Sequence, residues 1–215
     1  MPIAVLNHEL WFPPVEEATA DGLLALGGDL SAERLLLAYR SGIFPWFNED
    51  EPLLWWCPNP RCVLFPNELY VSKSMNHLLK KNAFTITINK AFEEVIHHCG
   101  ETRKKQEGTW ITDDIIDAYS ELHRLGYAVS VEAWNNNQLA GGLYGIRMGN
   151  LFFGESMFSK ESNASKYAFI RYVQQLLQEG VVLIDCQVFT PHLESLGARM
   201  IDRDLFLKMV KENAE

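Results

Sequence analysis

Long apolar runs are missing from the sequence. No window approaches the roughly 18 uninterrupted apolar residues of a membrane-spanning helix, so neither a spanning segment nor a membrane partner is expected. The opening stretch MPIAVLNHELWF has a short apolar run but no basic leader and no small-residue cleavage site, which points to a cytoplasmic chain. Cysteine is scarce. Cys57, Cys62, Cys99 and Cys186 are too few and too scattered for a disulfide scaffold at this length. Cys57 and Cys62 could meet His97, His98 and Cys99 around zinc, but the spacing is looser than in structural zinc sites; reduced cysteines and no metal are the expectation. Also absent are a Walker loop, G-x-G-x-x-G, H-E-x-x-H and G-x-S-x-G. No motif therefore calls for a nucleotide cofactor, a zinc peptidase or a serine elbow, and no cofactor is expected. Internal repeats and low-complexity linkers are lacking too.

What is present is a globular composition, 47% hydrophobic and 22% charged over 215 residues. That length can bury one large core or two small ones. The formal net charge of −9 argues against nonspecific coating of nucleic acid. The charge is uneven: residues 1–60 sum to −7, residues 61–110 to +3 and residues 111–215 to −5. The middle stretch holds Arg61, Lys73, Lys80, Lys81, Lys90, Arg103, Lys104 and Lys105. Such a patch suits one anionic partner, although charge alone favours a solvated surface.

The first 60 residues are rich in Pro, Trp and Gly and show one clear helix, capped by Ser31, running over Ala32–Arg40 and stopped by Gly42. The prolines beyond it predict tight, irregular or edge structure. From Arg61 onward helices and strands alternate. The pattern predicts helices over 73–81, 91–99 and 113–125, the last capped by Thr112, with residues 100–108 as a charged loop. A strand is expected at 84–88, and then an antiparallel meander of 127–133, 138–148 and 151–157. A long amphipathic helix (163–178), a buried strand (181–188), a short helix from Thr190-Pro191 and a last helix (202–211) follow. This order is α+β, with a mixed and largely antiparallel sheet, rather than doubly wound.

Three features bear on chemistry. Asp185 sits inside the apolar run Leu183-Ile184-Asp185-Cys186-Gln187-Val188, where an unpaired carboxylate is expensive to bury. Strand alternation puts Asp185 and Gln187 on one face and Cys186 on the other; a structural partnership and a catalytic one both remain open. Glu155 stands in a second apolar run, and could converge with that face if the strands are neighbours, walled by Leu143, Phe152 and Met157. Trp110, at a helix entrance, could stack on a ring or act as a hydrophobic staple. His97-His98 reads as a surface pair.

Taken in order, these segments resemble the leucyl/phenylalanyl-tRNA–protein transferase family. The resemblance runs through Gly22–Leu30, Tyr39, Gly42–Phe47, Leu54-Trp55-Trp56, Gly108–Thr112, Gly141–Gly145, Gly154–Ser159, Asn163–Lys166, Leu183–Gln187 and Ser195–Ala198. It implies a small N-terminal domain (1–60) and an acetyltransferase-like domain of the GNAT type (61–215). It further implies transfer of Leu or Phe, and less readily Met, from aminoacyl-tRNA to proteins beginning with Lys or Arg, creating a degradation signal of the N-end rule type. Asp185 and Gln187 would take part in catalysis and Glu155 would hold an amino group. Leu143, Phe152 and Met157 would receive the transferred side chain, and Trp46 and Trp110, with Tyr39 nearby, the terminal adenosine. Lys80, Lys81, Arg103, Lys104 and Lys105 are the expected tRNA track, and a monomer is expected. Two rivals are a leucyl-transferase for acidic N-termini and a CoA-dependent N-acyltransferase; against the latter, the turn Ser159–Asn163 into the long helix holds no glycine for a pyrophosphate. A non-catalytic RNA-binding module would leave Glu155, Asp185 and Gln187 without a purpose.

Overall fold

The structure, a computed structural model, describes residues 3–104 and 110–215, except for the side chains of residues 103 and 104. In the first 60 residues β1 (Ala4–Leu6), β2 (Leu23–Gly27), α1 (Ala32–Arg40), β3 (Phe44–Pro45) and β4 (Leu54–Trp56) follow one another, and the strands form a small sheet in the order β1-β2-β4-β3. Ser31 caps α1 as expected, its hydroxyl accepting from the Arg34 amide. The loop between β1 and β2 is fastened by Arg34, fully buried, which donates to the carbonyls of Asn7 (2.8 Å) and Glu9 (3.0 Å). These strands are two to five residues long, too short to leave an alternating signature, so the sequence showed irregular texture where a sheet exists.

The second sheet begins with β5 (Arg61–Leu64). After α2 (Lys73–Lys80), β6 (Thr85–Ile88), α3 (Phe92–Lys104) and α4 (Asp113–Arg124) come the expected meander β7 (Ala128–Asn135), β8 (Gln138–Met148) and β9 (Leu151–Ser159). Then follow α5 (Ala164–Gln178), β10 (Leu183–Gln187), α6 (Pro191–Glu194), β11 (Arg199–Ile201) and α7 (Arg203–Asn213). The sheet order is β11-β5-β10-β9-β8-β7-β6, with β9 and β10 parallel and the other neighbours antiparallel. The chain is therefore α+β with a mixed, mainly antiparallel sheet.

Two expectations change. Residues up to Lys104 continue α3 rather than forming a loop. Gly100 does not stop the helix, since a mid-helix glycine costs only about 1 kcal/mol against alanine; its backbone packs beside Ile111. And residues 61–64, for which no element was expected, form β5, an interior strand between β11 and β10.

Alternation along the strands divides the core in two. Val63, Tyr144, Phe153 and Leu183 pack with α1, α3 and α4 on one face, together with Leu35, Tyr39 and Trp55 of the first 60 residues. Cys62, Leu143, Phe152 and Ile184 pack with α5 and α2 on the other. At about 25 cal/mol per Å² of buried apolar surface, this continuous packing binds the N-terminal sheet to the larger one.

Candidate functional site

The parallel pair β9–β10 is where the sheet opens. Its register runs Leu151↔Leu183, Phe152↔Ile184 and Phe153↔Asp185, and stops there although both strands continue. A cavity of about 450 Å³ lies in the gap, lined by residues 154–157 of β9, residues 184–187 of β10 and Val188 just beyond it.

Each strand carries a β-bulge at this point. Tyr144 pairs with Ser156 and Gly145 with Gly154, so Glu155 is an extra residue in the ladder and is turned out of the pleat. Gly145 is required opposite it, since a Cβ there would lie 2.5 Å from the Phe152 ring and 2.2 Å from the Phe153 carbonyl. On β10, Asp185 pairs with Val63 and Gln187 with Cys62, leaving Cys186 extra. Gln187 takes the left-handed conformation, φ 55°. The bulge breaks the expected alternation: Asp185, Cys186 and Gln187 all line the cavity, and Cys186 does not face away from it.

Asp185 is 1% exposed. Arg61, also buried, clamps it with two charge-assisted bonds, Nε to Oδ1 at 2.8 Å and Nη2 to Oδ2 at 2.7 Å. The guanidinium lies between the rings of Phe44 and Phe206, at 4.7 and 4.5 Å. The adjacent Asp185 raises the Arg61 pKa despite the opposing effect of burial. Oδ1 of Asp185 also accepts from the Gln187 amide at 2.9 Å, so the ion pair holds the strained backbone of the bulge.

Glu155 is surrounded differently. Tyr39, from α1, donates to its Oε1 at 2.7 Å, and Gln187 Nε2 donates to the same oxygen at 3.2 Å. Tyr119, from α4, reaches Oε2 at 3.3 Å and hydrogen-bonds the Tyr39 hydroxyl. Burial pushes the Glu155 carboxyl up to about 7; the nearby Asp185 adds to this, while the tyrosine hydrogen bonds and Arg61 oppose it. Both phenols are raised well above their ordinary value, chiefly by burial, so they remain protonated donors.

Of the residues singled out from sequence, Leu143, Phe152, Met157, Glu155, Asp185, Gln187, Trp46 and Trp110 all line this cavity. Trp46 is 44% exposed at the rim, with Trp56 donating its indole N–H to the Trp46 carbonyl at 2.6 Å. Trp110 is 7% exposed and belongs to the wall. Tyr39 is fully buried behind Glu155 and does not reach the cavity surface, so its place is that of a support and not of a surface for a ring. Lys80 and Lys81 are exposed at the end of α2, away from the lining. The side chains of Arg103 and Lys104, together with Lys105 and residues 107–109, lie outside the described residues. His97 is exposed, whereas the half-buried His98 contacts Glu101 and Lys160. All four cysteines are free and buried, and among the described residues no group of three or more His, Cys, Asp or Glu could hold a metal ion. No helix among them is long and apolar enough to cross a membrane.

Sequence reasoning missed Arg61, Tyr119 and three further lining residues, the buried Phe169 and the exposed Val188 and Phe189. Arg61 had a visible signal, a charge entering the apolar run Arg-Cys-Val-Leu. Tyr119 had none, because it belongs to an ordinary helical stripe.

Fold and site together define an α+β protein with a cavity shaped for an apolar group beside a titratable carboxylate. Family models described as leucyl/phenylalanyl-tRNA protein transferase and its N-terminal domain match residues 63–211 and 28–59. The chain belongs to the leucyl/phenylalanyl-tRNA–protein transferase family. The enzyme of that name from Syntrophobacter fumaroxidans is 55% identical over 214 residues, covering 99% of this chain and 92% of its own. The one from Flavobacterium johnsoniae is 57% identical over 207 residues, covering 96% and 98%. Among solved structures, a GCN5-related N-acetyltransferase-like protein from Streptococcus suis is 12% identical, covers 76% of this chain and 61% of its own, and superposes with a TM-score of 0.39. That likeness is too loose to carry an argument.

Proposed function

We propose that the chain transfers Leu or Phe, and less readily Met, from aminoacyl-tRNA to the N-terminal Lys or Arg of an acceptor protein, giving a product marked for degradation. The protein acts as a cytoplasmic monomer, its residues 61–215 forming a GNAT-like transferase domain and residues 1–60 a smaller domain that supplies the Trp46 rim. Family membership supports the reaction class. The observation that carries the reading is the cavity: apolar walls from Leu143, Phe152 and Met157 meet Glu155 and Gln187 at one place. Apolar walls with a flexible Met accept Leu, Phe and Met but reject polar side chains.

The donor ester is already activated, so the protein has to position it and the amine. Gln187 commits its Nε2 to Glu155, which turns its carbonyl oxygen toward the attacking amine as a hydrogen-bond acceptor. Asp185 and Arg61 fix the backbone from which Gln187 projects. Trp46 and Trp110 offer faces to the terminal adenosine, and Lys80, Lys81, Arg103, Lys104 and Lys105 neutralise tRNA phosphates, a contact that salt weakens.

The test is transfer of label from Leu-tRNA, Phe-tRNA or acetyl-CoA to peptides beginning with Lys, Arg, Asp or Glu. Label from Leu-tRNA or Phe-tRNA in Lys and Arg peptides is expected. Label in Asp or Glu peptides would indicate the acidic-terminus enzyme, and label from acetyl-CoA alone would overturn the reading.

A further inference from the structure

Two carboxylates face the cavity, and a reaction between an amine and an ester has one proton to move. We infer that Glu155 is the group that takes this proton, while the Arg61 clamp removes Asp185 from proton transfer and makes it a positioning residue. The inference rests on the transfer reading above.

Most of the acceptor positions on Asp185 are already taken. Its two oxygens already receive Arg61 Nε, Arg61 Nη2 and the Gln187 amide, all within 2.9 Å. Protonating it would leave the Arg61 guanidinium buried without a counter-ion between two aromatic rings, a strongly unfavourable state. It would also release the amide that holds the bulge. Glu155 has the opposite arrangement. Its donors are neutral: two phenols and a side-chain amide. A carboxyl that gains a proton there strands no buried charge. It is half-buried and lines the cavity, within reach of an amine drawn to the Gln187 carbonyl. Its elevated pKa of about 7 agrees with a base that can be emptied and refilled near neutrality.

The step balances as follows. The amine nitrogen attacks the ester carbonyl carbon, and the N–C bond forms as a proton passes from nitrogen to Glu155. The bond from that carbon to the ribose oxygen then breaks, and Glu155 returns the proton to the departing oxygen, leaving an amide and a free ribose hydroxyl. Tyr39 and Tyr119 stabilise the ionised carboxylate between turnovers. The charged and titratable groups acting on Glu155 are Tyr39 on α1, Tyr119 on α4, Arg61 on β5 and Asp185 on β10, and Tyr144 on β8 lines the same cavity. His192 on α6 shares the cavity; burial and the nearby Lys166 hold its pKa below the ordinary histidine value.

The experiment is the single-turnover transfer rate from Leu-tRNA, measured from about pH 5.5 to 9 with two Arg-initiated peptides whose terminal amines differ in basicity. The amine's own ionisation gives a limb that shifts between peptides, whereas that of Glu155 does not. Wild type should show a peptide-independent limb near pH 7 that survives Asp185→Asn and His192→Gln. In Glu155→Gln the limb should vanish and the rate should fall on the order of 10²-fold. Arg61→Lys, a milder loosening of the clamp in case Asp185→Asn does not fold, should lower the rate without moving the limb. A limb that persists in Glu155→Gln overturns the inference, as does one that disappears in Asp185→Asn or shifts in Arg61→Lys. Failure of wild type to use any aminoacyl-tRNA overturns the functional reading itself.

Discussion

Asp185 and Glu155 stand on neighbouring parallel strands, each at a bulge in the ladder, and both face one cavity. Around Asp185 the protein is dry, charged and saturated: a guanidinium forks onto both oxygens and a backbone amide adds to one. Around Glu155 it is half-open, and the hydrogen-bond donors are neutral: two tyrosine hydroxyls and a glutamine amide. A carboxylate gripped on both oxygens by a buried guanidinium and by a backbone amide serves as a strut. A carboxylate solvated by neutral donors in a poorly hydrated site can change its protonation state, which suits it to the chemistry. Both side chains end in a carboxylate, and the neighbours decide the task.

The comparison breaks most visibly at the strut. Arg61→Met should destabilise the fold by about 3–5 kcal/mol, because Asp185 is left buried and unpaired, and urea unfolding measures this. Arg61→Met combined with Asp185→Leu should recover much of the loss; additive losses would mean that the two side chains are not coupled. A smaller effect is expected one residue beyond the bulge. Gln187→Ala should lower the transfer rate by roughly 10–100-fold with the fold intact, since it removes a positioned acceptor and leaves the ion pair in place. Single-turnover kinetics with a circular dichroism control checks this, and a wild-type rate would remove Gln187 from the reaction.

Glu155 should show itself in stability as well. Its pKa is raised in the folded protein, from 4.5 to about 7. Folding therefore favours the protonated form, and this contribution is fully present below about pH 4.5 and is lost as pH rises through about 7. Glu155→Gln removes the cost of a buried charge, so above pH 7 it should gain on the order of 1 kcal/mol, or about 2–4 °C in Tm, relative to wild type. Equal pH dependence of Tm in both proteins would count against the neutral, poorly hydrated surroundings described for Glu155. The smallest effect concerns selectivity. Met157→Ala enlarges the apolar wall, and should shift the Leu:Phe preference toward Phe by roughly 10-fold or less; competition between the two charged tRNAs reads this directly.

Much of the fold was legible in the sequence because local rules govern it. Ser31, Ser72 and Thr112 cap helices as their types suggest, and the meander followed from alternation and its Asn and Gly turns. Most of the short strands escaped detection: β1, β3, β4 and β11 have three residues or fewer, less than the period-2 signal needs, and β5, buried at all four positions, has no alternation to show. Asp185 and Glu155 stood out as charges in apolar runs, the same physical anomaly that marks Arg61, where it passed as part of a basic stretch. The Cys186 expectation failed because alternation assumes an unbroken ladder, and a bulge reverses the face of everything beyond it.

The sequence by itself determined the order of the longer elements, the family and the pair of polar strand residues that drew attention. Only the tertiary structure decided what each carboxylate does. The groups that distinguish them, Tyr39, Arg61 and Tyr119, come from α1, β5 and α4, distant in sequence from both 155 and 185. No local periodicity links such positions. They meet because the sheet places β5 beside β10 and the core packs α1 and α4 against its face, and a carboxyl's affinity for a proton depends on what surrounds it in space.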